Sequence, residues 1–505
     1  MHIKNLTLEE KIGQMLCFAF NGTEYNEQLD RQIKQLKVGG VIYFAKNITS
    51  PFQAAKLNER LQKEAKIPLF TCIDQEGGSV LRVMEKITPF PGAMGLAATG
   101  KSIRNLCYHV AKDLKSIGFN LNHAPVADVN NNPLNPVINS RSYSDDPEVV
   151  AKYVCEAFKG FQDAGVLATV KHFPGHGNTS QDSHLLMPSL DSSLAEMKKI
   201  ELLPFQKAFD EGIDGVMVSH VLYTALDKEY PATLSYPIMT KLLQEQMGFK
   251  GLIVTDSLSM GAIEQNYTNE QVINLCVNGG VDMMIFCGAA RLADQEEIFN
   301  KFLTMVKAGI ISEERVNQSV EKILRLKEKY CSGTIDVRNL APKSAVEEAE
   351  KLSVESVSLV KNSGILPFKT EDKVLILFPE IKLFSLVDNE NQKYKTLSVY
   401  YPQDEIVFNR ELKNLSLIKG ASKQYDKIIL ATYNVGKGDY QTELFKCLDK
   451  EKTVVVSLRS PYDILHLDGV KNYICLYEAT PLSLNSLTKC LIGEAPFTGK
   501  VPVKL

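Results

Sequence analysis

Eight short apolar runs, separated by stretches of helical period, set the pattern of the first two-thirds of the chain. They are GQMLCFAF (13–20), GGVIYFA (39–45), PLFTCID (68–74), FNLNHAPVAD (119–128), LATVKHF (167–173), GVMVSHV (215–221), GLIVTDS (251–257) and VDMMIFCG (281–288). Most are continuously apolar rather than alternating, as expected of strands buried on both faces of a parallel sheet. Amphipathic stretches lie between them, such as FQAAKLNERLQKEAK before the third run and EVVAKYVCEAFKGFQDAG before the fifth. Eight strands alternating with helices predict a (β/α)8 barrel. A doubly wound open sheet is the alternative fold. No GxGxxG follows a strand, which argues against a dinucleotide-binding version of it.

The rhythm changes near residue 330, and IDVRNLAPKSA reads as a linker. Beyond it, KVLILF (373–378), KIILATY (427–433), TVVVSLR (453–459) and NYICLYE (472–478) alternate with helical segments. The expected organisation is a barrel over 1–335, a linker over 336–347 and a smaller α/β sandwich domain over 348–505. The net charge is only −3 and no basic run occurs, so neither nucleic acid nor an anionic membrane is an expected partner. No stretch reads as a signal peptide or a membrane span. The ten cysteines lack CxxC pairs, and several lie in apolar runs, as reduced thiols of a cytoplasmic protein would.

In such barrels chemistry collects at the carboxyl ends of the strands. Five of the eight runs deliver polar groups there: Asp74 after the third, HAPVAD in the fourth, Lys171 and His172 in the fifth, Ser219 and His220 in the sixth, Asp256 after the seventh. Asp256 follows GLIVT directly; it either caps the next helix or serves as a nucleophilic carboxylate. The segment KHFPGHGNTSQDSH (171–184) divides at its Pro and Gly residues, which require a loop. Asp182 and His184, two apart on that loop, can pair so that the carboxylate fixes the imidazole tautomer for acid and base work. His172, His176 and His184 are also the residues of a conceivable metal site, but Pro174–Gly175 rules out the helical spacing of HExxH sites. No metal is expected. His176 is left between a structural role and an undefined one.

KHFPGHG-x4-D-S-H (171–184), IDQEGG (73–78), NPVINSRSYSDDP (135–147) and GLIVTDSLSM (251–260) together resemble family 3 glycoside hydrolases, in the β-N-acetylglucosaminidase branch. LVKNSGILPF (359–368), VVVSLRSPYD (454–463) and GKVPVKL (499–505) resemble the α/β-sandwich domain that often follows that barrel, so the likeness spans the chain. The resemblance implies a retaining exo-acting enzyme with Asp256 as nucleophile and His184, supported by Asp182, as acid/base. It implies that Asp74, Arg82, Arg141, Lys171 and His172 hold a terminal N-acetylglucosamine, with no cofactor. Peptidoglycan fragments or chito-oligosaccharides are the implied substrates; a phosphorylase or β-glucosidase of the same family is the alternative. One departure is Ser79, where the family often has Arg after EGG, with Arg82 retained.

Overall fold

The computed structural model describes residues 3–181, 183, 187–288, 291–381, 395–411 and 415–505. Eight parallel strands form the first sheet: β1 (Leu16–Ala19), β2 (Gly40–Tyr43), β3 (Phe70–Ile73), β4 (Leu121–Asn122), β5 (Leu167–Phe173), β6 (Gly215–Val218), β7 (Leu252–Thr255) and β8 (Met284–Phe286). They pair in chain order, and β8 pairs with β1. A parallel bridge between Val254 and Met283 joins β7 to β8 and closes the barrel. The strands are buried along their whole length, as their uninterrupted apolar character requires. All eight expected runs contain a strand.

The intervening helices begin and end where the local chemistry dictates. Ser50 caps Pro51–Glu64 by accepting the Gln53 N–H at 3.1 Å, with Pro51 in the first turn. Arg104–Ile117 ends at Gly118, whose φ of 98° suits a residue without Cβ. Strand β4 is short because Pro125 has no N–H for the ladder. Pairing resumes beyond it as a bridge between Val126 and Lys171. That second registration carries Asp128 to the end of β5.

The second sheet holds β9 (Ser358–Lys361), β10 (Val374–Pro379), β11 (Asp404–Phe408), β12 (Lys427–Thr432), β13 (Thr453–Ser457) and β14 (Asn472–Cys475). Its order is β9-β14-β13-β12-β10-β11, with β9 antiparallel to its neighbour and the remaining pairs parallel. Alternate side chains serve two cores: Leu375 and Leu377 face one, Val374, Ile376 and Phe378 the other. The fold is therefore a (β/α)8 barrel followed by a smaller α/β sandwich. Sequence pattern found the four buried strands of this sheet; β9 and β11 are part-exposed edges with no long apolar run to announce them.

The two parts are joined by packing as well as by the chain. Met94 and Ala98, from the barrel-side helix Ala93–Ala98, belong to the core of the second sheet. Asn130 donates to the Tyr462 hydroxyl at 3.3 Å, and Asn139 to the Ser460 hydroxyl at 3.2 Å. Glu478 is buried against the loop after β3. It accepts from the Gly92 amide at 2.7 Å and the Thr480 hydroxyl at 3.2 Å. Gly78 (φ 61°) lies beneath it, where a Cβ would stand 2.7 Å from the carboxylate.

Burial, offset only partly by those two donors, pushes the Glu478 carboxyl up to about 7. The folded state thus keeps a proton that the unfolded chain releases near pH 4.3. Stability is lost as pH rises from about 4 to 7, and the cost is complete above 7. We expect Glu478→Gln to match the wild type near pH 4 and to unfold at higher temperature above pH 7, by melts across that range.

Candidate active site

A cavity of about 300 Å3 opens at the carboxyl ends of the barrel strands, and Asp74, Arg82, Arg141, Lys171, His172 and Asp256 all line it. These are the described members of the site expected from sequence. Asp182 and His184 lie outside the described residues. Ser183, between them in the chain, is described and lines the same cavity.

Asp74 follows β3 directly, and Lys171 and His172 occupy the last turn of β5. Lys171 Nζ contacts Asp74 Oδ1 at 2.8 Å and Glu76 Oε1 at 2.6 Å. Arg141 grips Glu76 with two parallel bonds, Nε to Oε2 and Nη2 to Oε1, both 2.8 Å. Arg82 stands 3.8 Å from the far oxygen of Asp74. Burial alone would neutralise these carboxyls. The charges of Lys171 and Arg82 outweigh it and hold Asp74 at about 2. Arg141 and Lys171 likewise hold Glu76 well below the usual carboxylate range. Lys171, although buried, is raised because two carboxylates face it.

Glu76 and Asp128 were not singled out from sequence, yet they organise the site. Asp128 Oδ2 accepts from His172 Nδ1 at 2.7 Å, while its Oδ1 takes the backbone N–H of His172 at 3.1 Å and of His176 at 2.7 Å. A carboxylate can only accept, so His172 carries a proton on Nδ1 and donates it to Asp128. Attraction to the His172 ring and these bonds overcome burial and hold Asp128 below its usual value. The signals were present: Glu76 is two beyond Asp74 in IDQEGG, and Asp128 closes HAPVAD.

Asp256 is part-exposed at the end of β7. Its amide donates to Val218 O at 3.0 Å, and its Oδ1 accepts the Ser257 N–H at 2.7 Å. The next helix starts at Gly261 with Met260 as its cap position, so neither Asp256 nor Ser257 nor Ser259 caps it. Ser257 instead accepts the Cys287 N–H at 3.1 Å. His220 does not join the cavity. Its Nδ1 pairs with Thr233 Oγ1 and its Nε2 with the Ser257 carbonyl, both at 2.8 Å, bracing the loop after Asp256. His123 is buried against Thr169, and burial lowers it to about 4. Among the described residues no three metal-ligating side chains converge on one point.

Two carboxylates, Asp74 and Asp256, and four cations, Lys46, Arg82, Arg141 and Lys171, therefore line one cavity, and Glu76 pairs with two of those cations. Residues 7–326 match the family model of the glycosyl hydrolase family 3 N-terminal domain. The chain is 30% identical to beta-hexosaminidase A of Pseudoalteromonas piscicida over 99% of its own length and 97% of that protein's. It is 26% identical to a beta-N-acetylglucosaminidase/beta-glucosidase of Cellulomonas fimi, covering 98% of this chain and 93% of that one. A solved family 3 beta-N-acetylglucosaminidase from Paenibacillus sp. str. FPU-7 superposes with a TM-score of 0.93 at 35% identity, covering 99% of both chains. The chain belongs to glycoside hydrolase family 3, in its two-domain β-hexosaminidase form.

Removing one member of a buried ion pair strands the others. We expect Glu76→Gln to destabilise the protein by about 3–5 kcal/mol in denaturant titrations. The freed Lys171 and Arg141 should also shift, lowering kcat/KM by about 100-fold in steady-state kinetics.

Proposed function

We propose that the enzyme is a retaining exo-β-N-acetylglucosaminidase in which Asp256 attacks the anomeric carbon and forms a covalent glycosyl–enzyme. The observation that carries this reading is the convergence of Asp74, Arg82, Arg141, Lys171 and His172 with Asp256 around one cavity small enough for a single terminal sugar. Lys171 has one ammonium N–H left beyond its two carboxylates, and Asp74 has lone pairs for sugar hydroxyls. His184, with Asp182 behind it, protonates the leaving oxygen and then deprotonates the incoming water, as a retaining mechanism requires. No cofactor takes part in this scheme.

The substrates in this reading are β-linked N-acetylglucosaminides from peptidoglycan fragments or chito-oligosaccharides, processed in the cytoplasm. The names of the Pseudoalteromonas, Cellulomonas and Paenibacillus relatives support the sugar. That all ten cysteines are free supports a reducing compartment. No helix among the described residues is long and apolar enough to cross a membrane. The same reading divides the chain into a catalytic barrel over 1–335, a linker over 336–347 and a sandwich domain over 348–505.

Chromogenic N-acetyl-β-glucosaminide should be cleaved and the matching glucoside should not; the reverse preference would make the enzyme a β-glucosidase. Asp256→Ala should abolish turnover of every glycoside. His184→Ala should cost about 100-fold or more on natural glycosides and far less on substrates with good leaving groups. Equal losses would remove His184 from the acid role. A neutral imidazole in place of a carboxylate does not repel an anionic acceptor, which favours phosphorolysis as the second reading. Product analysis with and without phosphate decides it, since hydrolysis alone yields no sugar 1-phosphate.

A further inference from the structure

His176 is a cavity-lining histidine that the catalytic scheme leaves unused, yet both its ring and its backbone are firmly held. It is buried, and both ring nitrogens are engaged: Nδ1 with Thr179 Oγ1 at 2.8 Å, Nε2 with Ser183 Oγ at 3.0 Å. Its backbone is fixed as firmly. The amide donates to Asp128 Oδ1 at 2.7 Å, and the carbonyl accepts from Asn135 Nδ2 at 2.8 Å. The following Gly177 passes so near the Val129 carbonyl that a Cβ would stand 1.7 Å from its oxygen. Only glycine allows that approach.

Ser183 is held from the opposite side too. Its carbonyl accepts the Ala262 N–H at 3.4 Å, from the first turn of the helix Gly261–Glu264 that follows the Asp256 loop. Ser183 is thus tied to the β5 loop through His176 and to the helix after β7 through Ala262. In the chain it is the single residue between Asp182 and His184. Asp128 links the two histidines, accepting from the His172 ring and from the His176 backbone amide. Burial and the adjacent His172 lower His176 to about 4, so its ring is neutral at neutral pH and adds no charge to the cavity that it lines.

We propose that His176 is a positioning residue, which sets the placement of the acid/base pair by seating Ser183 through the Nε2–Oγ hydrogen bond. This inference rests on the assignment of Asp182 and His184 as that pair. It differs from a packing role because it predicts which step suffers. Misplacing an acid slows departure of a poor leaving group and matters little to a good one.

The test uses the full-length enzyme on two substrates, 2,4-dinitrophenyl N-acetyl-β-glucosaminide and N,N′-diacetylchitobiose. Ser183→Ala and His176→Ala should each lower kcat/KM, which reports the glycosylation step, on chitobiose by about tenfold or more, and on the dinitrophenyl glycoside by much less. The double variant should lose little more than the worse single, because the two residues make one bond. Equal losses on both substrates, or additive losses in the double variant, would overturn the proposal. Should His176→Ala fail to fold, Ser183→Ala with His176→Gln makes the same comparison. His184→Ala separates the two readings. If it shows the leaving-group split and Ser183→Ala does not, the seat is wrong and the acid assignment stands. If His184→Ala shows no split, both fall.

Discussion

Glu76 is the residue on which the site depends. One buried carboxylate holds Arg141 by a two-pronged bond and Lys171 by a single one, and Lys171 in turn holds Asp74. Buried charges are stable only when paired, and the loss of one exposes the rest to the full cost of desolvation. The four side chains therefore form as a unit. They come from the loop after β3, the end of β5 and the 3-10 turn Asn139–Arg141. The network fixes three segments far apart in sequence at one rim, and it sets where Asp74 and Lys171 stand in the cavity that Asp256 also lines.

The second sheet contributes to this indirectly. The carboxyl ends of β13 and β14 lead into Ser460, Tyr462 and Glu478, and each reaches a barrel loop. Asn130 and Asn139 bracket the segment that delivers Arg141, while Glu478 lies against the glycine turn that follows Glu76. The sandwich thus buttresses the two loops that carry the central ion pair. In an isolated barrel the Gly92 amide and the Asn130 and Asn139 side chains would lose these partners and the loops that carry them would lose their fixed positions. That gives a physical reason for the two parts to share the core formed around Met94 and Ala98.

Strand positions were legible because a buried parallel strand must be apolar throughout, and Asp74, Lys171 and Asp256 stood out as polar groups where such runs end. What a run does not reveal is the direction in which a side chain turns. His220 ends its run just as His172 does, yet it points sideways to Thr233 and the Ser257 carbonyl. Glu76 and Asp128 were missed for a related reason. Their importance comes from partners 65 and 44 residues away, and no local period records such pairings. The strands β9 and β11 were missed because edge strands, part-exposed, need no continuous apolar face. The Asp182–His184 pair was read from spacing and resemblance alone and lies outside the described residues.

The electrostatics of the cavity also constrain its pH behaviour. Asp74 and Glu76 are held low by cations, Lys171 is held high by carboxylates, and His123 and His176 are held at about 4 by burial. None of these changes charge between about pH 5 and 9. The charges of these five groups are thus constant over that range. A pH dependence of activity within that window would have to come from groups outside this set. Mutual pairing locks the charges of Asp74, Glu76 and Lys171, and burial keeps the rings of His123 and His176 neutral.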